Sequence, residues 1–295
     1  MTKHKTARCC FLRSGMIGAL CLLSSLSVLA GDAIRTQDTI LFLGDSITAQ
    51  GGYIRAIDAA LKKEKDPPKI VCRGKNSETV SGLSEAYHPG VRPCLFARLD
   101  KELTRAKPDW VVACYGINCG IYHPFDEKRF EAYKAGINRL IKEVHASGSR
   151  LILLTPPPYA KKGPSFPGGT DAASREKILR EANKKAQAEA EKNPKKYGYR
   201  TPYAYYDHVM ETYATWLLSL NNQNNVWVID LRKPMLLRSK ETHGRDPIHP
   251  NKIGHEIMAS SFLEQWPRIK KEALPSKKDS VKNKESEQKN PPDKK

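Results

Sequence analysis

The chain has 295 residues, of which 39% are hydrophobic and 28% charged, and its formal net charge is +18. This length is enough for one large or two small domains. The positive charge is compatible with nucleic acid, an anionic membrane surface or an acidic polysaccharide as a partner, and equally with a solvated surface that has no partner. No nucleic-acid-binding motif is present, and no stretch after residue 30 is apolar enough to span a membrane.

Residues 1–30 have the pattern of a secretory signal peptide. Basic residues precede an apolar run over residues 16–30, which ends at the small residue Ala30, and we expect cleavage there. The alternative is an uncleaved membrane anchor, but the apolar run is short for a membrane span. The sequence therefore predicts export to a periplasm or to the cell exterior, which also argues against a nucleic-acid partner.

Residues 275–295 are rich in Lys, Ser, Asn and Pro and contain almost no apolar residue. This composition predicts a disordered tail. Its positive charge could dock the protein on an anionic polymer or on the cell envelope. One domain, residues 31–274, remains between the signal peptide and the tail.

Within that domain, apolar runs alternate with helical periodicity. We predict five strands, at residues 40–43, 69–72, 109–115, 150–155 and 226–231. Helices are predicted at residues 47–61, 95–106, 130–144, 171–193, 203–220 and 251–266, and residues 171–221 form a helical excursion. The alternation predicts an α/β fold with a parallel sheet covered on both faces, and a ligand site beyond the carboxyl ends of the strands.

Ser46 follows the first predicted strand, where the chain turns into a helix. A serine held in such a turn can act as a nucleophile beside an oxyanion site made by backbone amides. The alternative is that Asp45 and Ser46 only cap the helix. Gly74 and Asn118 follow the next two strands. All three positions therefore fall at one edge of the predicted sheet, which favours the nucleophile interpretation.

A serine nucleophile needs a base, and the base needs an acid that orients it. His249 follows Asp246 by three residues, a spacing at which a turn can bring the carboxylate beside the imidazole. Neighbouring prolines at positions 247 and 250 stiffen that turn. Six other histidines after residue 30 are weaker candidates: His88, His123, His145, His208, His243 and His255.

Four cysteines remain after the signal peptide: Cys72, Cys94, Cys114 and Cys119. An exported chain permits disulfides, and four cysteines allow three pairings, between which the sequence does not choose. No CxxC pair is present, so we expect no structural zinc site.

Four short blocks of the sequence resemble those of the SGNH hydrolases, also called GDSL lipases and esterases. They are Gly44-Asp45-Ser46, the glycine of RGKNSET at position 74, Gly116-Ile117-Asn118, and Asp246 with His249. The blocks occur in the order that the family has and span residues 44–249. Two positions depart from the family pattern, which has Asp where Cys119 stands and Gly where Ser77 stands. The wider pattern resembles a bacterial subgroup of predicted secreted esterases.

The resemblance implies a three-layer α/β/α fold with a flavodoxin-like, five-stranded parallel sheet. It implies hydrolysis of carboxylic esters through an acyl-enzyme, with Ser46 as nucleophile, His249 as base and Asp246 as the orienting acid. The amides of Ser46 and Gly74 and the side chain of Asn118 would form the oxyanion hole. The resemblance implies neither a metal nor a cofactor.

For the substrate we expect a small acyl ester of a carbohydrate, such as an O-acetylated polysaccharide. Predicted export and the basic charge favour this choice, as do aromatic residues that could stack on sugars or pack in the core: Tyr53, Tyr115, Tyr122 and Trp216. The alternatives are a lipid or phospholipid ester and acyl transfer to a sugar. A glycan-binding module without turnover is the alternative from a different class. The sequence leaves the oligomeric state open.

Overall fold

The computed structural model describes residues 37–86, 88–161 and 163–273. The predicted signal peptide and the predicted disordered tail lie outside the described residues. No helix in the described part of the chain is both long enough and apolar enough to cross a membrane.

The centre of the fold is a five-stranded sheet in the order β2-β1-β3-β4-β5, and every pairing is parallel. The strands are β1 (Thr39–Gly44), β2 (Lys69–Gly74), β3 (Trp110–Cys114), β4 (Arg150–Leu154) and β5 (Val226–Ile229). Every residue of β1 and β3 is buried, as expected for strands covered on both faces. All five predicted strands are confirmed, and so is the predicted α/β fold.

In the described part of the chain, eight α-helices surround this sheet. They are α1 (Ser46–Gln50), α2 (Gly52–Leu61), α3 (Leu99–Ala106), α4 (Glu127–Ala146), α5 (Ala172–Lys192), α6 (Tyr206–Ser219), α7 (Arg232–Leu237) and α8 (Lys252–Ala273). On one face, Phe42 of β1 and Trp110 of β3 pack against Phe262 and Trp266 of α8. α4 and α6 pack together through a stacked aromatic pair, Tyr133 and Tyr213. These aromatic contacts bury large apolar areas and hold the helical layers in place.

Some predicted helix boundaries are wrong. The helix predicted at residues 47–61 is two helices, because Gly51 takes a left-handed conformation with φ of 69° and ends α1. The helix predicted at residues 95–106 begins as a separate 3₁₀ turn, Leu95–Ala97. The last helix continues past Trp266 to Ala273, because buried Ile269 extends its apolar face. The short helix α7 was not predicted.

The structure contains no disulfide among the four cysteines that follow the predicted signal peptide; all four are free thiols. For the aromatic residues that could either stack on sugars or pack in the core, the structure shows Tyr53, Tyr115 and Tyr122 buried in the core. Trp216 packs edge-on against Phe130 and Tyr133. Tyr122, although buried, also lines the cavity that contains Ser46 and His249.

Candidate active site

Ser46 lies where β1 ends and α1 begins. Asp45 is the N-cap of α1, and its Oδ1 accepts a hydrogen bond of 3.0 Å from the Ile47 amide. The capping interpretation therefore holds for Asp45. Because the aspartate does the capping, the Ser46 hydroxyl is free to make another contact, and its Oγ lies 2.7 Å from Nε2 of His249.

His249 connects Ser46 to Asp246. Its Nδ1 lies 2.6 Å from Oδ2 of Asp246, and the other oxygen of Asp246 accepts the Ile248 amide at 2.8 Å. Partial burial raises the pKa of the Asp246 carboxyl, but the hydrogen bonds from His249 and Ile248 outweigh it, so the net pKa lies below its ordinary value. An ionised carboxylate only accepts hydrogen bonds. Nδ1 of His249 therefore carries the proton, and Nε2 is left to accept the Ser46 hydroxyl.

Asn118 follows β3 and lies in the same cavity as Ser46 and His249. Its side chain is 4% exposed. Oδ1 accepts two hydrogen bonds, from Arg92 Nη1 at 2.9 Å and from the Tyr122 hydroxyl at 3.0 Å. Two donors on one atom identify it as the oxygen, so the amide nitrogen is the other atom. That nitrogen is buried and has no hydrogen-bond partner among the described residues, which leaves both its hydrogens for a ligand.

Arg92 and Glu85 are two site residues that sequence reasoning missed. Arg92 forms a bidentate ion pair with Glu85, with both distances at 2.6 Å and both side chains fully buried. Its third nitrogen reaches Asn118. Such a buried pair is held in one geometry by its hydrogen bonds. The available sequence signal was one acidic and one basic residue seven positions apart in a loop, which is too common to indicate a site.

The loop that carries Asn118 is also held from the helical excursion. The Tyr206 hydroxyl donates to the Ile117 carbonyl at 2.7 Å, and the Tyr203 amide donates to the Tyr122 carbonyl at 2.9 Å. Ile121 and Tyr122 both have positive φ angles, 46° and 59°. Non-glycine residues adopt this conformation only where the surroundings enforce it. The excursion therefore stabilises a strained loop directly behind the candidate oxyanion donor.

Gly74 ends β2 and packs closely on the helix that begins with Ser46. A Cβ atom at this position would lie 2.2 Å from the Ala49 nitrogen and 2.6 Å from the Thr48 carbonyl carbon. Only glycine allows this approach. The residues that follow it, Asn76 and Ser77, line the cavity.

The two departures from the family pattern have local explanations. Ser77 has a φ of 62°, the left-handed conformation that glycine adopts most easily, so the loop keeps the shape that a glycine would give it. Cys119 is fully buried, and burial raises the pKa of its thiol to about 12 although the backbone of Val80 and Ser81 hydrogen-bonds to it. The neutral thiol therefore packs the Asn118 loop against residues 80–81.

The other histidines take different positions. His88 lines the same cavity as Ser46. His208 is exposed and pairs with Glu211. His123 is buried against the ring of Tyr197, and burial lowers its pKa to about 4. None of these three hydrogen-bonds to Ser46 in the described part of the chain.

Replacing Gly74 by alanine should disrupt the site through sterics alone. The new methyl group would collide with backbone atoms of α1, which cannot rotate away. We expect the free energy of unfolding to fall by about 1–3 kcal/mol, the usual cost of overpacking. We also expect kcat to fall roughly 100-fold, as for loss of one oxyanion donor. Denaturant unfolding measures the change in stability, and ester hydrolysis measures the change in kcat.

Gly168→Ala is the matched control, because no atom lies within 4 Å of its added Cβ. Equal effects at both positions would contradict the steric account.

The buried Asp45 should make stability depend on pH. Burial raises the pKa of its carboxyl from 3.8 to about 7, and the Ile47 amide and the charge of His249 only partly oppose this. The folded chain therefore binds more protons than the unfolded chain between about pH 4 and pH 7, and the contribution of Asp45 to stability is lost as the pH rises through this window. We expect Asp45→Asn, which can still cap α1, to be less sensitive to pH over this range. Urea unfolding at several pH values tests this, with Asp100→Asn, a change at an exposed aspartate, as the control. If the free energy of unfolding of Asp45→Asn depended on pH as steeply as that of the unmodified protein, this account of Asp45 would be wrong.

In the described residues, no three His, Cys, Asp or Glu side chains are grouped so that they could hold a metal ion. The candidate site therefore consists of Ser46, His249 and Asp246 in one hydrogen-bonded chain, with the free amide of Asn118 beside it.

Comparison with known families agrees with this geometry. Residues 42–194 match the model of the GDSL-like lipase/acylhydrolase family. The chain belongs to this family. It is a carboxylic ester hydrolase of the GDSL type. The matched region contains Ser46, Gly74 and Asn118, whereas Asp246 and His249 lie beyond it and are brought to Ser46 by the fold.

Solved structures show the same fold. The acetylxylan esterase Axe2 from Geobacillus stearothermophilus is 22% identical, with a TM-score of 0.52 over 77% of this chain and 93% of that one. A catalytic mutant of Axe2 gives 21% identity and the same TM-score and coverage. No protein of curated function matched the sequence significantly. At this level of identity the likeness to Axe2 shows the fold alone, which is the SGNH hydrolase fold.

Proposed function

We propose that this GDSL-type hydrolase is a serine esterase that removes small acyl groups from carbohydrate through an acyl-enzyme. The observation that carries the proposal is the unbroken contact from Ser46 Oγ through His249 to Asp246, with distances of 2.7 Å and 2.6 Å. The unpartnered amide nitrogen of Asn118 in the same cavity supplies a donor for developing negative charge.

In the first half of the reaction, Ser46 Oγ attacks the ester carbonyl carbon while Nε2 of His249 takes the hydroxyl proton. The carbonyl oxygen becomes an oxyanion, which accepts hydrogen bonds from the amides of Ser46 and Gly74 and from Asn118. When the tetrahedral intermediate collapses, His249 returns the proton to the leaving alcohol. Asp246 holds the imidazole in the required tautomer and stabilises its protonated form.

In the second half, water attacks the acyl-serine. His249 takes a proton from this water, and the collapse of the second intermediate restores Ser46 and releases a carboxylic acid. A sugar hydroxyl in place of water would give acyl transfer with the same residues. We propose hydrolysis, because the family model that the chain matches is that of GDSL-like lipases and acylhydrolases.

The cavity supports a small acyl group on a polar alcohol. Its volume is about 380 Å³. Side chains able to hydrogen-bond line it around Ser46: Gln50, Asn76, Ser77, His88 and Tyr199. The lining also has apolar surface from Pro89, Tyr122 and Ile248, so it combines groups that can hydrogen-bond sugar hydroxyls with surface for a small acyl group. The fold shared with an acetylxylan esterase supports the same choice.

Hydrolysis of aryl acetate, butyrate and octanoate by the protein and by Ser46→Ala tests the proposal. We expect cleavage that requires Ser46 and is fastest for acetate, followed by release of acetate from acetylated xylan. Preference for octanoate would favour a lipid esterase instead. If the protein and Ser46→Ala showed the same lack of turnover on all of these substrates, the glycan-binding module would replace the enzyme.

We also propose that the protein is exported. The signal-like pattern of residues 1–30 supports export, and the Lys-rich residues 275–295 would dock the mature protein on an anionic envelope. The intact mass of the protein recovered from its own cells should correspond to cleavage after Ala30. Deleting residues 275–295 should release it into the medium, and unchanged fractionation would rule out docking through the tail.

A further inference from the structure

A second concave region adjoins the catalytic cavity. This groove has a volume of about 540 Å³. Tyr199 and Ile248 line both the groove and the cavity, and Asp246 forms part of the groove wall. The Ala160 amide donates to the Pro247 carbonyl at 2.8 Å, which fixes one wall to the loop that carries His249. A substrate longer than one sugar would therefore extend from the catalytic serine into this groove.

Among the described residues, the groove is lined by three cations and one carboxylate. The cations are Lys161, Arg200 and Arg245, all exposed. In the described part of the chain none of them forms an ion pair, and the carboxylate, Asp246, is engaged by His249.

Cations elsewhere on the surface are arranged differently. On the helices they commonly pair with an acid one turn away, as Arg139 does with Glu143 and Arg268 with Glu272. The groove cations come from three separate loops and meet at one concave surface. Charges of one sign in a concave surface raise the local concentration of an oppositely charged ligand.

Tyr199 stands at the junction of the groove and the cavity. Its side chain is 48% exposed, whereas the neighbouring Tyr122 and Tyr159 are buried. Its backbone amide donates to Glu85 at 3.1 Å, and its ring meets Tyr122 edge-on at 5.8 Å. The ring is thus held in place with surface left free for an apolar sugar face. The contact to Glu85 also ties it to the Arg92–Asn118 network.

We infer that the groove binds a uronic-acid residue of the polysaccharide substrate, with its ring on Tyr199 and its carboxylate between Arg200, Arg245 and Lys161. Planar guanidinium groups match the two oxygens of a carboxylate. This inference rests on the proposed function, since it assumes a carbohydrate ester. It narrows the substrate class to O-acylated acidic polysaccharides.

Binding can be measured without turnover. Isothermal titration of the Ser46→Ala protein with an unesterified oligogalacturonate, and with a neutral xylo-oligosaccharide of equal length, separates this inference from the proposed reaction. We expect the oligogalacturonate to bind more tightly, and its binding to weaken as salt is added. Equal binding of both oligosaccharides would overturn the inference while leaving the esterase proposal intact.

Substitutions in the groove test whether the oligogalacturonate binds there. The double change Arg200→Gln with Arg245→Gln should weaken oligogalacturonate binding roughly tenfold, the effect of losing two partly exposed charge contacts. Tyr199→Ala should weaken it as well, whereas Tyr199→Phe should keep the stacking surface and the affinity. The double change Lys177→Gln with Arg180→Gln, at two exposed cations on α5, is the matched control for the loss of two positive charges. Equal weakening by this control would refute a local site, and preference for a sulfated oligosaccharide would refute the carboxylate assignment.

Discussion

Replacing His249 by alanine is expected to lower kcat for ester hydrolysis by roughly 10⁶-fold, as much as replacing Ser46, on the scale known for a serine protease. Nε2 of His249 lies 2.7 Å from Ser46 Oγ, so it is placed to take the hydroxyl proton. Without it the serine attacks as a neutral alcohol, a weak nucleophile at neutral pH. Aryl acetate hydrolysis under saturating substrate measures the loss.

Ser46 and His249 should act as one unit. The Ser46→Ala/His249→Ala double variant is therefore expected to be no slower than either single variant. His208→Ala is a suitable control, because this histidine is exposed and pairs with Glu211. If His249→Ala kept more than a small fraction of the activity, or if the two losses were additive, His249 would not be the base for Ser46.

The second large effect is expected at Asn118. Changing it to alanine should lower kcat roughly 100- to 1,000-fold, because one preorganised oxyanion donor contributes about 2.7–4 kcal/mol to transition-state stabilisation. The buried, unpartnered nitrogen is aligned before the substrate arrives, since Arg92 and Tyr122 hold the oxygen of the same amide. KM should change much less than kcat, because the interaction strengthens only as the oxyanion forms.

Tyr122→Phe provides the graded comparison. It removes one of the two donors on Asn118 Oδ1 and leaves the Arg92 contact in place. We expect kcat to fall by about tenfold or less, which corresponds to one ordinary hydrogen bond. If Asn118→Ala turned over substrate nearly as fast as the unmodified protein, Asn118 would not be part of the oxyanion hole. If Tyr122→Phe lost more activity than Asn118→Ala, Tyr122 rather than Asn118 would be the more important donor.

The sheet could be predicted from the sequence because four of its strands, β1, β3, β4 and β5, are almost entirely buried and appear as apolar runs. The helix boundaries near Ser46 could not. The apolar periodicity continues across Gly51, and nothing in that periodicity shows that the glycine takes a left-handed conformation and ends α1. α7 is only six residues long, too short for periodicity to identify.

The positions of Ser46, Asn118, Asp246 and His249 at one edge of the sheet were predictable, because each belongs to a short block with fixed spacing. The contacts that hold these side chains in place could not be predicted. Arg92 reaches Asn118 across 26 positions of sequence, and Glu85 reaches Tyr199 across 114. Such contacts depend on how the excursion and the loops fold over the sheet, and no local pattern encodes them.

The most direct test of the central claim is to inactivate the protein with a fluorophosphonate and map the adduct by peptide mass. The proposed mechanism predicts one adduct per chain, on Ser46, with activity lost in proportion to labelling and with much slower labelling of His249→Ala. An adduct on another residue, or ester hydrolysis that continues after Ser46 is fully labelled, would contradict Ser46 as the nucleophile.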